Sequence, residues 1–232
     1  MLLNRRRAFR DAAVMLSLAA VITVLVATRR SAVQPIDDWV LDRMEAMRSG
    51  FVTDIGQALS VIGGAYVMWP LRVLSVGLLA WRRRWIQLTA FSLTIVTSEA
   101  CIGPLKSLID RPRPPAPLVD TGSASFPSGH AIAAAVSAAG IVIALIPPGR
   151  ERLKWEIYAG LITFVMAMSR VYLGVHWLSD VVAGSLIGLG LALLWPAVME
   201  EARARVRRPD APKWIAARTR SRALRPGSVE DT

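Results

Sequence analysis

Residues 177–198 read WLSDVVAGSLIGLGLALLWPAV, with Asp180 the only charged residue among them. A helix needs about 20 mostly apolar residues to cross the hydrocarbon core of a bilayer, and this stretch supplies that length. Five more stretches toward the amino terminus meet or approach it: 12–28, 57–81, 85–105, 130–146 and 155–173. Six such spans take up about half of the 232 residues and leave little for a water-soluble domain. The composition agrees, at 53% hydrophobic and 19% charged, with a mean hydropathy of +0.42. Soluble domains carry roughly 45–50% apolar and about 25% charged residues. Disorder is excluded, and an ordinary soluble domain is disfavoured. The expected architecture is an all-α integral membrane bundle of six helices over residues 1–198. A flexible basic tail is expected over 199–232.

The placement of charge predicts the orientation. The chain carries 28 Lys and Arg against 17 Asp and Glu. Nineteen of the 28 fall before the first span, at Arg82, Arg83 and Arg84, at Arg150, Arg152 and Lys154, and in the tail. Basic residues concentrate on the cytoplasmic side of membrane proteins, so both termini are expected there. The loops around Asp37, Arg113 and His176 then face outward, and the expected location is the plasma membrane. Arg5, Arg6, Arg7 and Arg10 precede the first span as they would in a secretory signal. Ala27-Thr28-Arg29-Arg30 is a poor cleavage site, and an uncleaved first helix is the better reading. The tail's arginines suit anionic lipid headgroups, and nucleic acid is not an expected partner. Between Gln34 and Gly50 the apolar Ile36, Val40, Leu41, Met44 and Met47 are spaced for a short helix on the membrane surface. The lone Cys101 excludes an intrachain disulfide framework.

Polar residues gather in three clusters. Lys106 and Arg113-Pro114 stand in the string KSLIDRPRPP, where prolines end the helix and stiffen the segment beyond it. Pro127-Ser128-Gly129-His130 opens the fourth span, where the free N–H groups of a first helical turn form an anion site. Gly129 lets a phosphate approach the backbone closely. Ser169-Arg170, His176 and Asp180 straddle the turn between the last two spans, with Gly174 as a helix stop. His176 and Asp180 are four apart and fit one helical face, so the carboxylate could fix the imidazole tautomer. Taken singly, each cluster also has a plain reading: an interfacial loop, a helix start, a structural hydrogen bond. Together they fall on one side of the membrane, and they hold both histidines of the chain. Lys106, Arg113, Arg170 and a helix N-terminus describe a pocket for a multiply charged phosphate. No cluster has metal-ligand spacing, so neither a metal nor a cofactor is expected.

Lys-x6-Arg-Pro, Pro-Ser-Gly-His and Ser-Arg-x5-His-x3-Asp, in that order, resemble the signature of the type 2 phosphatidic acid phosphatase family, in its bacterial six-helix membrane form. The motifs cover Lys106 to Asp180, and the family's six-helix core extends the likeness to about residues 12–198. The resemblance implies a lipid phosphatase without a metal, acting on a phosphomonoester or pyrophosphate outside the cytoplasm. Undecaprenyl-type pyrophosphate, phosphatidic acid and phosphatidylglycerol phosphate are the candidate substrates, and the external site favours polyprenyl recycling. His176 would be the nucleophile, Asp180 its orienting partner and His130 the proton donor. Lys106, Arg113, Ser128, Gly129, Ser169 and Arg170 would hold the phosphate. Ser169 has a competing use, since a serine at a helix end can bond its own backbone. A phosphotransferase, a vanadate-dependent haloperoxidase and a non-catalytic lipid transporter or scaffold that keeps the pocket are the alternatives. Arg72, inside the second span, is expected either to snorkel toward Trp81 or to face the bundle interior. Glu99 is expected to pair with a cation near the outer face.

Overall fold

The structure, a computed structural model, describes residues 5–122 and 124–206. Eight helices account for about four fifths of them, and no strand occurs among the described residues. They are α1 (Arg5–Thr28), α2 (Arg30–Ala46), α3 (Gly50–Ile62), α4 (Ala65–Trp81), α5 (Trp85–Ile109), α6 (Gly129–Leu145), α7 (Arg150–Tyr172) and α8 (Leu178–Val206). By length and composition α1, α5 and α8 can each cross a membrane, and α3 with α4, bent at their junction, are together long and apolar enough for a broken span or a re-entrant loop. Helix α6 is apolar but only 17 residues long, and α7 opens on a charged run over 150–156. The outward faces are apolar: Val21, Val24, Leu74, Val96, Leu161 and Phe164 are all exposed, as a lipid-facing surface requires.

The expected second span, 57–81, is in fact two helices that meet at an angle of 47°. The break falls at Gly63-Gly64, residues with little helix propensity. A side chain at Gly63 would come within 2.7 Å of the Met166 thioether and 3.0 Å of the His130 ring. Gly63 therefore also makes room for α6 and α7. Helix α8 begins at Leu178, so His176 lies in the preceding loop rather than on the helix, and α8 runs to Val206, past the expected end at 198. The remaining tail lies outside the described residues.

Small residues fix the centre of the bundle. A Cβ at Gly188 would lie 2.6 Å from the Ala135 Cβ and 2.9 Å from the Ile132 carbonyl; one at Gly184 would lie 2.8 Å from the Ser128 carbonyl. Helices α6 and α8 thus approach backbone to backbone, as small residues permit in membrane bundles. Beside this seam Leu79, Phe91, Ile95, Ile132 and Val136 form the main apolar core. The close approach brings the first turns of both helices together, and Ser128 N–H donates to the Asp180 carbonyl at 3.2 Å.

Candidate active site

Asp180 is fully buried in the first turn of α8. Its Oδ1 accepts from Arg111 Nη1 at 2.7 Å. Its Oδ2 accepts from the Trp177 backbone N–H at 3.0 Å and from the Ser125 hydroxyl, and faces His176 Nδ1 at 3.5 Å. On the far side of the imidazole, Nε2 lies 3.4 Å from Arg113 Nη1. A guanidinium only donates, so Nε2 presents its lone pair there and Nδ1 carries the proton toward Asp180. Burial pushes the His176 pKa down to about 4, opposed by the hydrogen bond to Asp180. Burial therefore favours the uncharged ring at neutral pH.

Local chain geometry holds this loop. Helix α7 ends at Tyr172, and Gly174 takes φ +66°, a left-handed conformation suited to glycine. The proline-rich segment after α5 lies over the loop, through Leu118 N–H to the Leu173 carbonyl at 2.9 Å and Trp177 Nε1 to the Pro112 carbonyl at 2.9 Å. Arg113 is anchored by the Val175 carbonyl, and Lys106, at the end of α5, donates to the Ala124 carbonyl.

The second histidine owes its position to the break between α3 and α4. The last carbonyls of a helix lack intrahelical partners, and that of Ser60 takes His130 Nε2 at 3.1 Å. A carbonyl only accepts, so Nε2 carries the proton and Nδ1 is the atom free to exchange one. The hydroxyl of the same Ser60 accepts from Arg170 Nη1 at 2.6 Å. Arg170 is buried, and its Nε has no hydrogen-bond partner among the described residues. An orphaned guanidinium donor in a buried site calls for an acceptor.

The remaining expected residues divide. Ser128 caps α6, its hydroxyl accepting from Ala131 N–H at 3.5 Å. Open space surrounds the position of a Gly129 Cβ. Ser169 donates to the Met166 carbonyl at 2.7 Å, the local bond that competes with phosphate, so its one proton is spent within α7. No group of three or more His, Cys, Asp or Glu placed to hold a metal occurs among the described residues.

Four residues were missed by sequence reasoning. Ser60 and Ser125 carry no sequence signal. Arg111 is buried and bridges Asp180 to α2, with Nη2 on Asp37 Oδ2 at 2.7 Å and on Gln34 Oε1 at 2.9 Å. The same Asp37 takes the Ser179 N–H at 2.8 Å and its hydroxyl at 2.7 Å. Helix α2 is thus a helix as expected, but it inserts an acid beneath the site. Arg72 faces the interior and pairs with Glu99 at 2.6 Å, which replaces the expectation that Glu99 meets a cation near the outer face.

This arrangement has known counterparts. Residues 87–204 match the PAP2 superfamily. Phosphatidylglycerophosphatase B of Bacillus subtilis is 33% identical over 174 residues, covering 72% of this chain and 85% of its own. Undecaprenyl-diphosphatase of Sulfolobus acidocaldarius is 42% identical over 71 residues, 30% of this chain and 31% of its own. Among solved structures, the transmembrane PAP2-type phosphatidylglycerolphosphate phosphatase of Bacillus subtilis superposes with a TM-score of 0.73 at 27% identity, covering 86% of this chain and 98% of that one. LpxE of Aquifex aeolicus shares the fold, with a TM-score of 0.56 at 23% identity over 67% of this chain and 91% of that one. The three ordered motifs, the helical bundle that assembles them and the match across half the sequence agree: this chain belongs to the type 2 phosphatidic acid phosphatase (PAP2) superfamily.

Proposed function

We propose that this chain hydrolyses the terminal phosphate of a membrane lipid through a phosphohistidine on His176. The site then lies at the extracytoplasmic face of a six-span bundle in the plasma membrane, with both termini cytoplasmic. The observation that carries the mechanism is the placement of the buried His176, its Nδ1 3.5 Å from Asp180 Oδ2 and its Nε2 3.4 Å from Arg113 Nη1.

In the first step, with the His130 ring protonated at both nitrogens in the substrate complex, His176 Nε2 attacks phosphorus, and the bond from phosphorus to the leaving oxygen breaks as His130 Nδ1 delivers its proton to that oxygen. The positive charge that develops on His176 is balanced by Asp180. In the second step His130, now neutral, takes a proton from water; the hydroxide attacks phosphorus and the P–N bond breaks. Lys106, Arg113, the Arg170 Nε, the Ser128 hydroxyl and the N–H groups at Gly129 stabilise the phosphoryl oxygens. These cations do the neutralising that a metal does elsewhere. Ser169 holds the last turn of α7, which carries Arg170.

Phosphatidylglycerol phosphate and polyprenyl diphosphate are the leading substrates, since the Bacillus and Sulfolobus relatives are named for such lipids. The test is release of inorganic phosphate from a panel of lipid phosphates by purified protein, with and without EDTA. Hydrolysis that survives chelation and stops with vanadate is the expected result. Loss with EDTA and recovery with Mg²⁺ would overturn the mechanism; transfer of phosphate to an added alcohol in preference to water would make the protein a phosphotransferase.

A further inference from the structure

We propose that the cavity beside His130, walled by Arg72 and Glu99, receives the unit next to the leaving oxygen and selects an uncharged, hydroxyl-bearing one such as glycerol at that place over a phosphate anion. The proposal rests on the reading of His130 as the proton donor to the leaving oxygen.

The cavity has a volume of about 160 Å³, and Gly63, Gly64, Gly129 and His130 line it together with the two charged residues. With His130 as the proton donor, a unit attached to the leaving oxygen that extends past His130 enters this cavity. Ala133 comes three residues after His130, about 4.5 Å along the helix axis. Arg72 reaches that level, its Nη2 on the Ala133 carbonyl at 3.4 Å.

The ion pair presents only one of its members to the cavity in usable form. Arg72 is buried and committed to protein: Nε to the Ser137 hydroxyl at 3.0 Å, Nη1 to Glu99 Oε1 at 2.6 Å, and the guanidinium over the Trp69 ring at 5.7 Å. Glu99 keeps about a third of its side chain accessible, and its Oε2 has no protein partner among the described residues. A carboxylate oxygen accepts hydrogen bonds and donates none. The cavity therefore attracts O–H groups and repels anions. An ionisable pair inside a membrane bundle is costly, and such residues commonly mark a substrate path.

Substrates differ at this point. In a glycerol phosphate ester such as phosphatidylglycerol phosphate, the carbon next to the leaving CH₂–O carries a hydroxyl that Glu99 Oε2 can accept. In a lipid diphosphate the leaving group is itself a phosphate and meets the carboxylate. Met68 lines both this cavity and an apolar groove of about 500 Å³ between α4, α6 and α7.

The experiment compares kcat/KM of the full-length protein and of Glu99→Gln on phosphatidylglycerol phosphate and undecaprenyl diphosphate in mixed micelles. The wild type favours the glycerol substrate. The substitution lowers that preference by about tenfold or more, the size of one hydrogen bond to a charged group. Equal change on both substrates, a wild-type preference for the diphosphate, or an unaltered ratio overturns the proposal. If Glu99→Gln fails to fold, the double variant Arg72→Met/Glu99→Met removes the whole pair and must shift the same ratio in the same direction. Wild-type protein inactive on every lipid phosphate would instead refute the phosphatase reading itself.

Discussion

Arg111 Nη1 lies 2.7 Å from Asp180 Oδ1, with both side chains inaccessible to solvent. This contact joins Asp180 to Asp37 on α2, a helix outside residues 87–204. Removing one member of a buried pair leaves an uncompensated charge, at a cost of about 3–5 kcal/mol. Arg111→Ala, which strands both Asp180 and Asp37, should lower the melting temperature in detergent and abolish turnover. Asp37→Asn should be milder, because Asn can still accept from Ser179. A variant Arg111→Ala with wild-type melting and wild-type kcat would show that this network has no part in the site.

The protonation state of His176 can be read directly, since the chain has two histidines. In His130→Ala, ¹⁵N-histidine spectra should show one neutral ring, protonated at Nδ1, from pH 8 down to pH 5. An ordinary histidine would titrate near 6.5, whereas burial holds this one to about 4. The unfolded chain binds that proton near 6.5, so folding stability should fall as the pH drops from 6.5 toward 4. Titration of the ring between pH 6 and 7 would contradict the buried, neutral nucleophile.

The two histidines should fail differently. His176→Ala should form no phosphoenzyme on any substrate. His130→Ala should lose turnover on lipid substrates, where general acid catalysis is worth about 10²–10⁴-fold. An aryl phosphate, whose leaving group needs little protonation, should recover part of that factor in the first step, and phosphohistidine should accumulate. Equal loss of phosphoenzyme in both folded variants on the aryl substrate would show the division of labour to be wrong.

Orientation is tested by single cysteines in a Cys101-free background. Asp120→Cys should react with an impermeant maleimide in intact cells, and Glu151→Cys only after permeabilisation. The reverse pattern would place the chemistry on the cytoplasmic side.

The helical bundle was legible because lipid-facing helices announce themselves by length and apolarity alone. The three motifs were legible because their spacing is local. What escaped was long-range or cooperative. The Gly63-Gly64 break was absorbed into one apolar span, since glycines are common inside membrane helices. Asp37 shares a stretch with Ile36, Val40 and Leu41, and nothing in that pattern says its partner is Arg111, 74 residues on. Arg111 itself stood in the shadow of Arg113, two residues away in the same proline-rich run. Arg72 and Glu99 were each conspicuous as membrane charges, but only the packing of α4 against α5 makes them a pair.

The glycine-lined contact between α6 and α8 also sets a tolerance. With Gly184 and Gly188 pressed onto the α6 backbone, and Ser128 bonded to the Asp180 carbonyl, the gap between the first turns of α6 and α8 is closely fixed. It acts as a fixed gauge. A chain-end phosphate offers three unsubstituted oxygens to it, whereas the phosphodiesters that make up the surrounding bilayer offer two and a bulky fourth arm. In the proposed reaction, the same rigidity would favour attack on a chain-end phosphate and spare the phosphodiesters of the surrounding membrane.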